Sequence, residues 1–448
     1  MHRLYREIEN NLLAWKEQSY KKPLVLKGAR QVGKTISLLH FGQKYYTDKG
    51  HNFHYIDFRE EKNVYSIFKE TYNPKEIVKY LQFEKKISIN PSDDLVIFDE
   101  IQECPEAISA LKYFEQDMNE LDIIAAGSHL GLQKDDISFP VGKVSFQYMY
   151  PMTYLEFIKA IDNDAFSELS EYNMTTPIPT VVHKRLCNLF LIYLFTGGMP
   201  EVVAKYLGTN SDIPECIRSV RQIQSDLITG YLADFTKYSG VVNALHIKNV
   251  FESIPVQLSK VHDNSVSKYQ FKGVIPKRKG FESISGPLTW LTEARLCIKN
   301  DIVKRANHPL KSYCNRNRFK LFLFDIGLLN CMLSIPAEVI IRQRLGPYKG
   351  FIIENYVAQE LFAQLNDSLF SWQEGTAEVE FLYVSGADII PVEAKSAERS
   401  RKTKSLDAFI NRYNPLLAYK LTMQNYGYNP VRKITTLPLY CAGKLIQT

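Results

Sequence analysis

The sequence predicts an α/β fold that opens with a parallel sheet covered by helices on both faces. Three observations predict it. Apolar runs short enough for buried strands recur at 23–26, 53–58, 94–98, 123–126 and 144–149. Helical stretches such as 105–114 lie between them, and alternation of strand with helix demands parallel pairing through crossovers. A glycine-bearing loop separates the first run from a helix marked by Ile36, Leu38, Leu39 and Phe41.

The elements follow in order. Leu12, Leu13 and Trp15 place an opening helix before the strand at Leu24–Leu26. The sheet layer is expected to end near Ala160. Residues 181–240 read as helical, broken by Gly197, Gly198 and Pro200. Beyond 241, Ile284, Leu288, Leu291 and Ala294 share one helical face, and 296–298 and 319–324 read as short strands. A helix followed by a strand pair suggests a winged helix. A helix at 354–364 then precedes strands at 378–383 and 389–394. The expected parts are therefore 1–160, a helical connector at 161–240, a winged-helix-like part at 241–335, and 336–448.

Composition bounds the function. With 448 residues, 45% of them hydrophobic and 23% charged, the chain builds real cores rather than disorder. A net charge of +6 permits a local nucleic-acid surface without requiring one. The cysteines, Cys104, Cys187, Cys216, Cys297, Cys314, Cys331 and Cys441, are odd in number and form no CxxC pair. That argues against a disulfide framework or zinc site and fits a reducing cytoplasm. No run approaches the roughly 18 apolar residues of a membrane span, and residues 1–7 lack the apolar core of a signal peptide.

The chemistry begins at Gly28-Ala29-Arg30-Gln31-Val32-Gly33-Lys34-Thr35, which has the GxxxxGK[ST] spacing between a strand and a helix. A loop that wraps a phosphate with backbone N–H groups needs glycine where a side chain would block approach. The following helix turns its positive end to the anion. Lys34 reaches the outer phosphates of ATP, and Thr35 binds Mg2+. A second apolar strand, 95–98, ends in Asp99 and Glu100. Asp99 is placed to hold magnesium and Glu100 to polarise the attacking water. A third strand, 123–126, ends in Gly127-Ser128-His129, where Ser128 is the candidate to touch the terminal phosphate or the water. His129 reads as a surface histidine.

Together, Gly28–Thr35, Asp99-Glu100-Ile101-Gln102 and Ala126-Gly127-Ser128 resemble the prokaryotic AAA-type P-loop ATPases that carry a C-terminal domain of unknown function. Later segments share the resemblance: Tyr150-Pro151-Met152-Thr153-Tyr154-Leu155-Glu156-Phe157, Phe195-Thr196-Gly197-Gly198-Met199-Pro200-Glu201, 319–329 and Gly350-Phe351-Ile352-Ile353-Glu354-Asn355. The resemblance implies an AAA-like P-loop NTPase sheet followed by a helical region, a winged-helix-like domain and a restriction-endonuclease-like α/β domain. The family often has Gly-Arg where this chain has Gly142-Lys143, and a lysine replaces a planar, bidentate arginine finger with a point charge. Arg30 is an alternative cation.

A second constellation lies near the C-terminus. Glu393 and Lys395 are two apart on a strand and face one side. Glu380 stands on an earlier strand and Glu354 on the preceding helix. The set resembles a restriction-endonuclease-like core, which implies magnesium held by Glu380 and Glu393 with Lys395 positioning water. Such cores carry aspartate where this chain has Glu380. Basic residues at 395–404, including Arg399, Arg401 and Lys402, are a candidate track for a phosphate backbone.

The function expected is an Mg2+-dependent ATPase coupling nucleotide state to C-terminal domains that bind DNA or RNA. The alternative is a nucleotide-operated switch that binds a protein partner and carries an inactive nuclease-like domain. A nucleotide kinase fits poorly, because Asp99 and Glu100 suit water as nucleophile. A GTPase lacks its NKxD motif here.

Overall fold

The computed structural model describes residues 4–128, 130, 140, 142–209, 213–239, 241–260, 268–342, 349–366, 368–395 and 404–446. The chain forms two compact units: Arg6–Tyr150, and Pro151–Thr448 together with Met1–Tyr5. Helix Tyr154–Ile161, expected in the sheet layer, therefore belongs to the second unit.

In the first unit, β1 (Leu24–Lys27), β2 (Phe53–Asp57), β3 (Leu95–Asp99), β4 (Asp122–Gly127) and β5 (Ser145–Tyr148) occupy the five apolar runs. Every pairing is parallel, in the order β2-β3-β4-β1-β5. β3 and β4 are buried end to end, so their sequences show no polar alternation. Val25, Ile56, Phe98 and Ala125 share one apolar cluster with Ile77, Leu81, Leu111 and Phe114 from helices Pro74–Lys85 and Pro105–Asp117. Phe58, Phe68 and Phe98 pack ring to ring at 5.5–5.7 Å, edge-on or tilted, which adds to burial. Because all five strands run one way, their C-terminal ends share one edge. The loop after β1, the acids after β3 and Ser128 after β4 all leave from it, with β4 between β1 and β3.

The second unit contains β6 (Cys297–Val303), β7 (Cys314–Leu323), β8 (Leu369–Glu374), β9 (Ala377–Ser385), β10 (Asp388–Ala394), β11 (Ala418–Thr422), β12 (Gly427–Asn429) and β13 (Ile434–Pro438). They form one mixed sheet in the order β12-β13-β11-β10-β9-β8-β6-β7. The helix Glu282–Glu293 buries Ile284, Leu288 and Leu291 as its spacing predicts. β6 and β7 form the expected antiparallel pair, but β6 also pairs in parallel with β8, from Asn300–Leu369 to Val303–Trp372. The expected boundary at 335 therefore falls within a continuous sheet. No single helix among the described residues is long and apolar enough to cross a membrane.

The motifs that carried the later resemblance meet inside this unit. Met152 N donates to Gly198 O at 2.7 Å, and Gly198 N donates to Asp325 Oδ2 at 2.7 Å. Tyr193 OH donates to Met152 O at 2.6 Å, and Gln359 Nε2 donates to Tyr193 OH at 2.7 Å. Ile326 N and Tyr154 N donate to Gln359 Oε1 and Glu360 Oε1. These segments are a buried polar joint in which each named backbone group has a partner, and their role is architectural.

Candidate functional site

The loop from Gly28 to Thr35 leaves β1 and enters helix Lys34–Tyr45. Gly28 is required by space: a Cβ there would lie 2.2 Å from Met149 O, just beyond β5. Lys34 is buried and folded back on the loop, its Nζ donating to Gly28 O at 2.9 Å and Ala29 O at 2.8 Å. Burial pulls its ammonium down to about 8, against the raising influence of Glu100 and Asp99. Arg6, buried, braces the loop from outside. It donates to Val32 O, and at 2.6 Å to Tyr150 O.

Across the edge, Thr35 Oγ1 donates to Asp99 Oδ2 at 2.5 Å, and Tyr55 OH reaches the same oxygen at 3.0 Å. Glu100 N donates to Asp99 Oδ1 at 2.9 Å. Glu100 itself has φ 50°, a left-handed turn that separates its side chain from that of Asp99. Its Oε2 accepts from Arg59 Nη2 at 2.7 Å and from Gln102 Nε2 at 2.5 Å. Ser128 is buried, and its Oγ has no partner among the described residues. Thus every nucleotide-site residue read from the sequence lies on this edge. The hydroxyl and carboxylate oxygens of Thr35 and Asp99 are the hard donors that magnesium selects. Lys143 is the exception. It precedes β5 at the opposite end of the sheet from the loop, since Ser145 pairs with Leu24 and Tyr148 with Lys27. Its Nζ is committed to Glu115 at 2.9 Å. Within its own chain it is no finger.

Residues 20–158 match the family model of an AAA domain, 188–339 match a domain of unknown function (DUF8612), and 349–441 match another (DUF4143). The chain carries an AAA domain joined to a C-terminal domain of unknown function. Among solved structures it is similar to AMPPCP-bound DnaA from Aquifex aeolicus, with 15% identity over 64% of this chain and 86% of that one, TM-score 0.29. It is also similar to Orc1 from Aeropyrum pernix in complex with DNA, with 13% identity over 77% and 95%, TM-score 0.28. Cdc6p from Pyrobaculum aerophilum gives 15% identity over 77% and 96%, TM-score 0.27. No curated protein matches.

In the C-terminal domain, Glu354, Glu380, Glu393 and Lys395 come together as the sequence suggested. Lys395 Nζ lies 2.7 Å from Glu380 Oε1 and 3.1 Å from Glu393 Oε1. Beside it, buried Lys320 lies 3.1 Å from Glu354 Oε2 and 2.7 Å from Glu378 Oε1. Burial raises the Glu380 carboxyl to about 7, with Lys395 opposing and Glu354 and Glu393 adding. Glu380 Oε2 and Glu393 Oε2 are buried without hydrogen-bond partners among the described residues. Yet an ammonium already sits between the two carboxylates. Among the described residues no group of three acid, histidine or cysteine side chains is arranged for a metal. Lys395 thus takes one oxygen of each carboxylate and draws the set together.

Sequence reasoning missed Arg6, Tyr55, Arg59, Lys320 and Glu378. Only Gln102 had a signal, its place directly after Asp99-Glu100-Ile101. His129, Arg399, Arg401 and Lys402 lie outside the described residues.

Proposed function

We propose that the protein hydrolyses ATP with magnesium at the AAA domain, and that its nucleotide state controls a C-terminal part that binds nucleic acid without cleaving it. The observation that carries the ATPase reading is the edge where Thr35 and Asp99 share a hydrogen bond beside the separately held Glu100. Thr35 and Asp99 would hold magnesium, which neutralises charge on the phosphates. Lys34 exchanges two carbonyl partners for phosphate oxygens, a charge-assisted bond in place of neutral acceptors. Arg59 and Gln102 fix one oxygen of Glu100, so the carboxylate is oriented before water arrives and accepts its proton. Ser128, at the same edge of the sheet, offers a hydroxyl with no partner among the described residues.

One observation favours the second reading, a switch that binds a protein partner: Lys143 is committed to Glu115. The deciding measurement is ATP turnover with magnesium, alone and with duplex DNA, single-stranded DNA or RNA, using Glu100→Gln as control. Turnover that a nucleic acid stimulates and that the control lacks is expected. Tight ATP binding with no turnover and no response to nucleic acid would transfer the assignment to the switch.

A further inference from the structure

The positive charge of this chain is concentrated in one stretch. Residues 268–320 hold 13 Lys and Arg against 3 Asp and Glu, while the whole chain holds 55 against 49, so the rest of the sequence is net acidic. Nine of the 13 cations are exposed. Of the three acids, Asp301 is neutralised by Lys299 at 2.7 Å.

The fold gathers this stretch on one edge. β7 is the terminal strand of the eight-stranded sheet. The segment that carries Lys277, Arg278 and Lys279 is fastened to it: Tyr269 N donates to Phe319 O at 2.8 Å, and Phe271 and Phe281 pack on Phe319 at 5.8 and 6.0 Å. The connection carrying Lys304 and Arg305 joins β6 to β7. On β7, Arg316, Arg318 and Lys320 alternate and so share a face. Arg318 is tied to Gln373 at 2.7 Å and Lys320 to Glu354 and Glu378, so the free positive surface ends where the acidic cluster begins.

From this we infer that the β7 edge, with the 268–281 segment and the β6–β7 connection, is a docking surface for double-stranded nucleic acid read through its phosphates. This rests on the nucleic-acid part of the function proposed above. Charge complementarity selects a polyanion. An anionic membrane would also need apolar anchors, and no large exposed hydrophobic side chain falls between 268 and 320. A single strand would need free rings for its bases. Here Tyr269, Phe271, Phe281 and Phe319 are spent on one another.

The test is fluorescence anisotropy of the full chain with a labelled duplex of mixed sequence between 50 and 200 mM salt. If about half of the exposed cations meet phosphates, wild type loses roughly 500-fold in affinity over that range. Arg305→Glu with Arg316→Glu weakens binding and reduces the loss to roughly 40-fold, as expected for about two fewer contacts. The neutral pair, Arg305→Gln with Arg316→Gln, does the same more mildly and guards against misfolding. Charge reversal at Lys79 and Lys112, on the AAA domain, leaves binding unchanged. Duplex binding that both pairs leave intact overturns this surface while the nucleic-acid reading stands. Preference for a single strand overturns the duplex assignment. Absence of binding to any nucleic acid at 50 mM salt overturns both, and ATP turnover without nucleic acid tests the ATPase separately.

Discussion

A buried hydroxyl without a partner costs stability, and Ser128 carries one at the end of β4. If that hydroxyl serves only the reaction, Ser128→Ala raises unfolding free energy by about 1 kcal/mol. ATP turnover then falls on the order of 100-fold while ATP affinity holds. A stability loss matching the activity loss would make the residue structural. Asp325 shows the opposite case, a titratable group used by the fold. It accepts from Gly198 N at 2.7 Å and Leu328 N at 2.9 Å, yet burial outweighs these bonds and raises its carboxyl from 3.8 to about 6. A raised carboxyl binds its proton more tightly folded than unfolded. Its contribution is therefore complete below pH 3.8 and is lost as pH rises through 6, about 3 kcal/mol in all. Asp325→Asn turns an amide donor toward a backbone donor and costs roughly 1–3 kcal/mol at pH 5. Because the variant lacks the titration, its deficit narrows by pH 7.5. Urea unfolding at the two pH values checks this, and a deficit that widens would mean that the ionised form is the stabilising one.

At the scale of elements, close approach explains what residue type alone does not. A Cβ on Gly198 would meet Met152 O at 2.0 Å and Met152 N at 2.8 Å, all backbone, so no side chain can yield. Gly198→Ala is expected to cost roughly 2–4 kcal/mol in denaturant unfolding without altering the composition of the ATP site. An unchanged midpoint would show that the joint between 152, 198 and 325 is loose. The same logic marks what was legible. β1 to β5 could be read because strands buried on both faces need unbroken apolar runs. Gly28–Thr35, Asp99 and Glu100 could be read because phosphate and water chemistry fixes their types and spacing. β11 and β13 were missed: β11 becomes a strand by pairing with β10 and β13, both distant in sequence, which five residues do not advertise. β8 was missed too, although it forms a hairpin with β9. Arg6 and Arg59 were missed for a related reason. A single arginine has no period, and only the fold brings it to Val32 or Glu100.

For the whole molecule, the sheet that runs across the boundary expected at 335 has the same origin: β6 and β8 pair although Asn300 and Leu369 are far apart along the chain. Global charge conceals local charge as well, since +6 averages a strongly basic stretch with an acidic remainder. These observations sharpen what coupling must mean. If ATP at the AAA domain controls nucleic acid on the β7 edge, the two bindings are linked by one free energy. Linkage requires that a factor by which ATP changes duplex affinity equal the factor by which duplex changes ATP affinity. For couplings of ordinary size that factor lies between roughly 5 and 150. The measurement uses a non-hydrolysable ATP analogue, because equality holds for equilibria and not for turnover. Duplex affinity is titrated with and without the analogue, and analogue affinity with and without duplex. Two equal factors above one, both reduced to one in Lys34→Ala, are expected. Two factors of one would leave an ATPase and a nucleic-acid surface in one chain with no thermodynamic connection, and the reading of nucleotide control would fall while each separate activity stood.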